Sequence, residues 1–276
     1  MQVVRTIPEL RVRLQAEASI ALVPTMGNLH AGHVSLVDLA KVRGGCVVAS
    51  IFVNRLQFEP GGDFDRYPRT LERDLDMLER AGTDVVFAPA ESEMYPGPQE
   101  IVVAPPKIAG MLEGVHRPGH FEGVTTIVAK LFNAVRPHLA IFGKKDYQQL
   151  RVIHALERQL NFGIRILAAE TVRERDGLAM SSRNGYLSDA ERAEAVRLNR
   201  TLRRVKEAVE NGAADLAALE REAEAELTQS GWRVDYVAIR TRESLELPSA
   251  GAKELVVLGA AWLGKTRLID SLEAGG

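Results

Sequence analysis

The sequence predicts an α/β protein, a Rossmann-like doubly wound parallel sheet over residues 1–171 followed by a smaller α+β domain over residues 172–276. Three observations predict it. At 276 residues the chain is long for one domain. Its first part alternates short β-branched runs with stretches whose apolar residues recur at helical spacing, the rhythm of βαβ units. After Thr171 that rhythm stops, and helices segregate from strands.

In chain order the strands of the first part are Ile20–Val23, Cys46–Ile51, Val85–Phe87, Leu139–Phe142 and Ile164–Ala168. Each is short and almost wholly apolar, as a strand covered on both faces must be. Helical spacing runs through Pro8–Ala18, His33–Val42, Thr70–Ala81, Val124–Val135 and Tyr147–Gln159, and the Pro- and Gly-rich stretch Tyr95–Pro106 reads as a loop. In the second part Asp176-Gly177 signals a turn, and Ser188-Asp189-Ala190-Glu191 has the capping-box spacing that opens a long helix. A Glu- and Ala-rich helix over Asp215–Gln229 precedes strands over Val234–Arg240, Leu255–Ala261 and Arg267–Ser271. There is no internal repeat and no low-complexity tract.

Composition narrows the partners. With 35 Lys and Arg against 37 Asp and Glu, a net charge of −2 gives no basic field to hold nucleic acid, so small molecules are the expected partners. No apolar run approaches a membrane span, and Met1-Gln2-Val3-Val4-Arg5 does not begin a charged leader with an apolar core, so a cytoplasmic location away from membranes is expected. Cys46, the single cysteine, cannot form an internal disulfide; between Gly45 and Val47 it reads as a small packed hydrophobe opening a buried strand.

One phosphate-binding motif is present in spelling only. Gly259-Ala-Ala-Trp-Leu-Gly264-Lys265-Thr266 fits G-x-x-x-x-G-K-[ST], but a P-loop must lead into a helix, and Arg267-Leu-Ile-Asp-Ser has strand character. Gly264-Lys265 fits better as the tight turn joining the last two strands.

A stronger signal follows the strand Ile20–Val23: Pro24-Thr25-Met26-Gly27-Asn28-Leu29-His30-Ala31-Gly32-His33, then a helix. This strand-to-helix turn is where a nucleotide binds in such a sheet, because a helix start offers unpaired amides and a positive dipole end to phosphate. Gly27 and Gly32 permit close approach of the backbone, and the imidazoles can donate to phosphoryl oxygens that gain charge. H-x-G-H alone also fits a chance pair of surface or metal-binding histidines. A second polar loop, Ala179-Met180-Ser181-Ser182-Arg183-Asn184, supplies hydroxyls and a guanidinium suited to a triphosphate and a leaving pyrophosphate.

The two loops together resemble the H-x-G-H and KMSKS-type signatures of the nucleotidylyltransferase superfamily, which includes the class I aminoacyl-tRNA synthetases. Three further stretches, Ser50-Ile-Phe-Val-Asn54-Arg-Leu-Gln57-Phe58, Arg117-Pro-Gly-His120-Phe-Glu-Gly-Val124 and Phe142-Gly143-Lys144-Lys145-Asp146-Tyr147-Gln148-Gln149, are similar to the pantothenate synthetase family. All five motifs lie in that family's order along nearly the whole chain. The resemblance implies an ATP-dependent ligase that joins pantoate to β-alanine through a pantoyl-adenylate, with Mg²⁺, as a homodimer.

By that resemblance Met26, Gly27, Asn28, Leu29, His30, Ala31, Gly32 and His33 hold ATP, with His33 the catalytic histidine and His30 beside it on the phosphates. Gly143, Lys144, Lys145 and Asp146 add a second ATP contact; Lys145 reaches phosphate, Asp146 takes ribose or orders the loop, and Lys144 points to the other side. Val172 meets adenine through its backbone, while Met180, Ser181, Ser182 and Arg183 close over the phosphates, so that Lys145 and Arg183 join the histidines as catalytic. Gln57 and Gln149 bind pantoate, and Gln57 also meets β-alanine. Asn54, Arg117 and His120 order the pocket, the alternatives being a loop cap at Asn54, a surface arginine at Arg117 and a helix-capping histidine at His120.

Two positions depart from the family pattern. Arg55 stands where proline is usual, which implies a freer loop around Gln57. The family places Mg²⁺ by the helix after Tyr67-Pro-Arg-Thr, but in Glu72-Arg73-Asp74-Leu75-Asp76-Met77 only Asp74 suits a metal, so the protein ligands of Mg²⁺ stay unassigned. Other readings make different demands: an adenylyltransferase releasing a dinucleotide has no need of the glutamine pair. A class I synthetase needs a larger, more basic second domain, and a nucleotide-binding regulator has no need of the full set His30, His33, Lys145 and Arg183.

Overall fold

A three-residue strand, β1 (Gln2–Val4), precedes α1 (Ile7–Leu14), where Thr6 and Glu9 close a capping box and Pro8 sits in the first turn, its missing N–H costing nothing there. A computed structural model describes residues 1–59, 61 and 64–275 of the chain. They form two compact units, Met1–Gly143 with Val152–Ala169, and Lys144–Arg151 with Glu170–Gly276.

In the first unit β2 (Ile20–Thr25), α2 (Ala31–Val42), β3 (Cys46–Ile51), α3 (Leu71–Arg80) and β4 (Val85–Phe87) follow in turn. Two four-residue helices, α4 (Glu91–Met94) and α5 (Glu113–His116), precede α6 (His120–Val135), β5 (Leu139–Gly143), α7 (Tyr147–Leu160), whose residues up to Arg151 belong to the second unit, and β6 (Arg165–Ala169). The sheet is wholly parallel, in the order β1-β4-β3-β2-β5-β6. From β2 the chain winds outward to one side through β3 and β4, then resumes on the other side at β5. The reversal puts the topological switch point at the carboxyl ends of β2 and β5, where a crevice for ligand opens in such sheets.

Burial explains the sequence pattern. β2, β3 and β4 are buried almost throughout, and Val23, Val37, Ala40, Leu78, Val86 and Ile141 pack one face of the sheet against α2 and α3. The expectation of strands covered on both faces fails at β6, an edge strand with Arg165 and Ala168 exposed. Cys46 is buried at the start of β3, where burial above all pushes its thiol up to about 11. α6 begins at His120, four residues before its periodicity suggested, after Gly119 turns the chain in the left-handed region. Gly123 on α6 is obligatory, because a Cβ there would stand 2.3 Å from the carbonyl oxygen of Leu56.

The second unit carries α8 (Asp189–Glu194), α9 (Val196–Glu210) and α10 (Leu216–Gln229), then an antiparallel sheet of β7 (Arg233–Thr241), β8 (Leu255–Leu263) and β9 (Thr266–Ala274). Ser188 and Glu191 form the expected capping box, but the helix they open ends at Glu194, and α9 continues from Ala195. Leu198, Leu202, Leu227, Trp232 and Val257 fill the core between helices and sheet. Leu263 pairs with Thr266, so Gly264-Lys265 is a two-residue hairpin turn with Gly264 at φ 56°, and the Walker spelling falls on β8 and this turn, with no helix behind it. Among the described residues no helix is long and apolar enough to cross a membrane.

Candidate active site

β2 ends at Thr25, whose hydroxyl donates to Ser50 C=O (2.7 Å) and accepts from Gly27 N–H (3.2 Å). Gly27 (φ 80°) and Asn28 (φ 49°) then take successive left-handed conformations, which turn the next two amides to one side. Both amides meet Asp74 of α3: Asn28 N–H donates to its Oδ2 and Leu29 N–H to its Oδ1, each at 2.8 Å. Arg73 donates to Leu29 C=O at 2.8 Å. The loop is thus held by consecutive residues of one helix.

His30 is the N-cap of α2 and His33 its N3 residue, and they form a capping box from two imidazoles. His30 Nδ1 accepts from Gly32 N–H (3.1 Å), and His33 Nδ1 accepts from His30 N–H (3.3 Å). An accepting Nδ1 carries no proton, which leaves Nε2 as the donor position of each ring. The rings lie 4.1 Å apart between centroids, tilted by 41°. This corrects one expectation. The amides of Gly27, Asn28, Leu29, His30, Gly32 and His33 all have partners within the protein, so this helix start does not offer a row of unpaired amides.

Gln57 belongs to the same unit. Its Nε2 donates to Met26 Sδ (3.2 Å), and its Oε1 accepts from Nδ2 of the fully buried Asn54 (3.0 Å). Asn54 also donates to Gly123 C=O (3.1 Å) and accepts from the Tyr95 hydroxyl (2.6 Å), which fixes the orientation of both amides. Burial, with Glu91 nearby, pushes the Tyr95 hydroxyl well above its ordinary range, so it stays a donor. The buried His120 donates from Nδ1 to Gln57 C=O (2.9 Å), the opposite tautomer to His30 and His33. Arg117 pairs with the buried Glu113 at 3.6 Å. Arg55 does not leave the loop free: its guanidinium pairs with Glu91 (3.0 Å) and covers the Phe64 ring (4.1 Å), and residues 55–57 form a 3-10 turn.

In the second unit residues 144–146 form a 3-10 turn. Lys144 is bound by the carboxylates of Glu170 and Glu273. Ser271 donates to its carbonyl (2.8 Å), and Tyr147 donates to Glu273 (3.0 Å). Burial works against the Glu273 charge, but Lys144 and Tyr147 outweigh it and hold the carboxyl below its ordinary value. Lys145 instead meets its neighbour Asp146 at 3.1 Å, and Gln149 lies half-buried on α7.

Residues 172–180 form a hairpin: Met180 N–H donates to Val172 C=O (3.0 Å) around the Asp176-Gly177 turn. Arg173 anchors it through a two-bond pair with the buried Asp270 (2.7 and 2.9 Å), which also accepts from Asn199 (2.8 Å). The hairpin delivers Ser181, whose hydroxyl accepts from Arg183 N–H (3.2 Å) and caps a 3-10 turn over Ser182–Tyr186.

A family model described as pantoate-beta-alanine ligase matches residues 2–273. The chain belongs to this family. Pantothenate synthetase from Nitrosospira multiformis is 56% identical over 273 residues, covering 99% of this chain and 98% of that protein. The one from Thiobacillus denitrificans is 58% identical over 274 residues, covering 99% and 97%. The crystal structure of pantothenate synthetase from Thermus thermophilus superposes with a TM-score of 0.95 at 44% identity, over 100% of both chains. That of pantoate-beta-alanine ligase from Francisella tularensis, complexed with beta-gamma ATP and beta-alanine, gives 0.83 at 31% identity, over 99% of this chain and 97% of that one.

Membership in the pantoate–β-alanine ligase family makes the metal a specific question. Asp74, the one residue its pattern offered, is fully buried and already accepts from two amides and, at 3.1 Å on each oxygen, from Thr70. Among the described residues no group of three His, Cys, Asp or Glu side chains could hold a metal. The residues do not fit a protein-ligated ion. Tyr95, Arg73, Asp270 and Glu273 escaped the sequence reading; only Asp74 left a signal, being a carboxylate in register with Leu71, Leu75 and Leu78 on the apolar stripe of α3.

Proposed function

We propose that this ligase activates (R)-pantoate with ATP and transfers the pantoyl group to β-alanine using the two loops described above. The carrying observation is the pair of imidazoles opening α2 at the switch point of the sheet, each with its Nδ1 engaged by a backbone amide. Fixed N–H donors are suited to an α-phosphate whose oxygens gain charge as a carboxylate attacks, and their preorganisation avoids reorganisation at that moment. In the first step a pantoate carboxylate oxygen bonds to the α-phosphorus, the bond to the bridging oxygen breaks, and pyrophosphate leaves. In the second the β-alanine amine, having lost its ammonium proton, attacks the acyl carbon; the acyl–oxygen bond breaks, AMP departs, and the new amide nitrogen releases a second proton to solvent.

We assign His33 and His30 to the phosphates, with Lys145 exchanging Asp146 for phosphate and Ser181, Ser182 and Arg183 serving pyrophosphate. Met26 to His33, Gly143 to Asp146, Val172 and Met180 to Arg183 take ATP, though Lys144 acts there as an anchor through Glu170 and Glu273. Gln57 and Gln149 take pantoate, and Gln57 also β-alanine; the Asn54 relay leaves the amide nitrogen of Gln57 as its donor end. Magnesium enters with ATP as part of the substrate, since phosphate and water satisfy its octahedral demand. Family resemblance adds a homodimer and a cytoplasmic location.

The test is isotope exchange between pyrophosphate and ATP. Exchange is expected with pantoate and MgATP alone. Exchange that requires β-alanine, or that proceeds without pantoate, rejects the adenylate route.

A further inference from the structure

We infer that Asp74 is the positioning residue of the nucleotide loop and not a magnesium ligand. The inference rests on the assignment of Met26–His33 to ATP. Two successive left-handed residues make a concavity of amides that in other loops receives a substrate anion. Here that concavity is filled from inside the protein. Asp74 is fully buried, and its two oxygens receive Asn28 N–H and Leu29 N–H at 2.8 Å and the Thr70 hydroxyl at 3.1 Å. Gly27 closes over the carboxylate: a Cβ on it would stand 3.0 Å from Asp74 Oδ2.

A magnesium ion needs six oxygens at about 2.0–2.1 Å and keeps several waters, so its carboxylate ligands stand at a solvated edge. Asp74 offers the reverse, an enclosed carboxylate satisfied by backbone donors. What it controls is the path of the chain from Gly27 to His30, and therefore where the His30 and His33 rings stand. Arg73, donating to Leu29 C=O at 2.8 Å, holds the other polar end of the same stretch. A positional error of about 1 Å in such a constellation costs on the order of 10²-fold in rate.

The variant Asp74→Asn keeps the shape but sets an NH₂ group against one of two amide donors. Pantoate-dependent exchange should fall on the order of 10²-fold, with the Mg²⁺ concentration for half-maximal exchange unchanged and no recovery at high Mg²⁺. Hydrogen exchange at the amides of Asn28 and Leu29, in the nucleotide-free full chain, should be slow in the parent protein and fast in the variant. Binding of Mn²⁺ alone, read by electron paramagnetic resonance, should be the same in both. Thr70→Val, which removes only the hydroxyl contacts, should shift exchange in the same direction by less, and it serves if Asp74→Asn does not fold.

Rescue of Asp74→Asn by excess Mg²⁺, or Mn²⁺ binding lost with the carboxylate, overturns the inference. So does normal turnover in both variants. Failure of the parent protein to perform pantoate-dependent exchange would instead reject the functional assignment beneath it.

Discussion

The loop from Met26 to His33 is fastened by its own backbone and by α3, whereas the loop from Ala179 to Arg183 is carried on a hairpin fastened at its root. In the first, nearly every amide has a partner within four residues or in α3, and the two imidazoles are held through Nδ1 by the backbone. In the second, the Ser181 cap and the Asn184 side chain, which donates to Ala179 C=O at 3.1 Å, shape the turn. Its place is set further back, where Arg173, Asp270 and Asn199 fasten the hairpin that carries it. The difference teaches where each loop is vulnerable. Changes inside the first loop should alter chemistry, while the second loop should be lost through stability, by changes at its anchor.

The largest effect is therefore expected at Asp270, outside either loop. Asp270→Ala leaves the Arg173 guanidinium, whose side chain is only 15% exposed, without its carboxylate. Breaking a buried pair from one side costs about 3–5 kcal/mol. Urea unfolding should show that loss, while the double variant Asp270→Leu with Arg173→Met should recover much of it. A loss below about 1 kcal/mol in the single variant would show that the root is not what holds the second loop, since that is the scale of an exposed pair.

The first loop makes a complementary demand. His33→Ala should lower kcat by on the order of 10² to 10³, about 2.7–4 kcal/mol, the usual worth of one donor to developing charge. It also removes the acceptor for His30 N–H, so part of any effect could come from the cap. His33→Gln separates the two, because glutamine at N3 can restore a capping box without placing an N–H where Nε2 stood. Stability near that of the parent with turnover still down on the order of 10²-fold is the expected result. Recovery of turnover in His33→Gln would make the residue a cap and nothing more.

The legible parts of this molecule are those written in neighbouring residues. H-x-G-H after an apolar strand, the Ser188 capping box and the Gly264-Lys265 turn each carry their meaning within a few positions. β1, α4 and α5 were missed because three or four residues carry no periodicity. The partners that order the site lie far along the chain: Tyr95 is 41 residues from Asn54, Asp74 46 from Asn28, and Arg173 97 from Asp270. Nothing local in Tyr95–Pro106 marks its first residue as the donor that fixes an amide relay. Asp74 was visible as an acidic residue, and a metal was the nearest explanation; what the sequence does not display is that two amides would turn inward to meet it.

The smallest effect is expected at Lys265, and it sharpens what a phosphate loop needs. Gly27 and Gly264 both take positive φ after an apolar strand, and both precede polar residues. Behind Gly27 comes a capped twelve-residue helix; behind Gly264 comes β9, paired with β8 from Thr266 onward. A hairpin turn presents no helix start and no positive dipole end, so a lysine there has nothing to complete. Lys265 is exposed, and surface substitutions of this kind stay within about 0.5 kcal/mol. Lys265→Ala should leave the ATP dissociation constant, measured by calorimetry, within about twofold of the parent value, which 0.5 kcal/mol allows. A tenfold loss of affinity in a folded variant would mean that this turn holds phosphate, and would set a second site beside the one at α2.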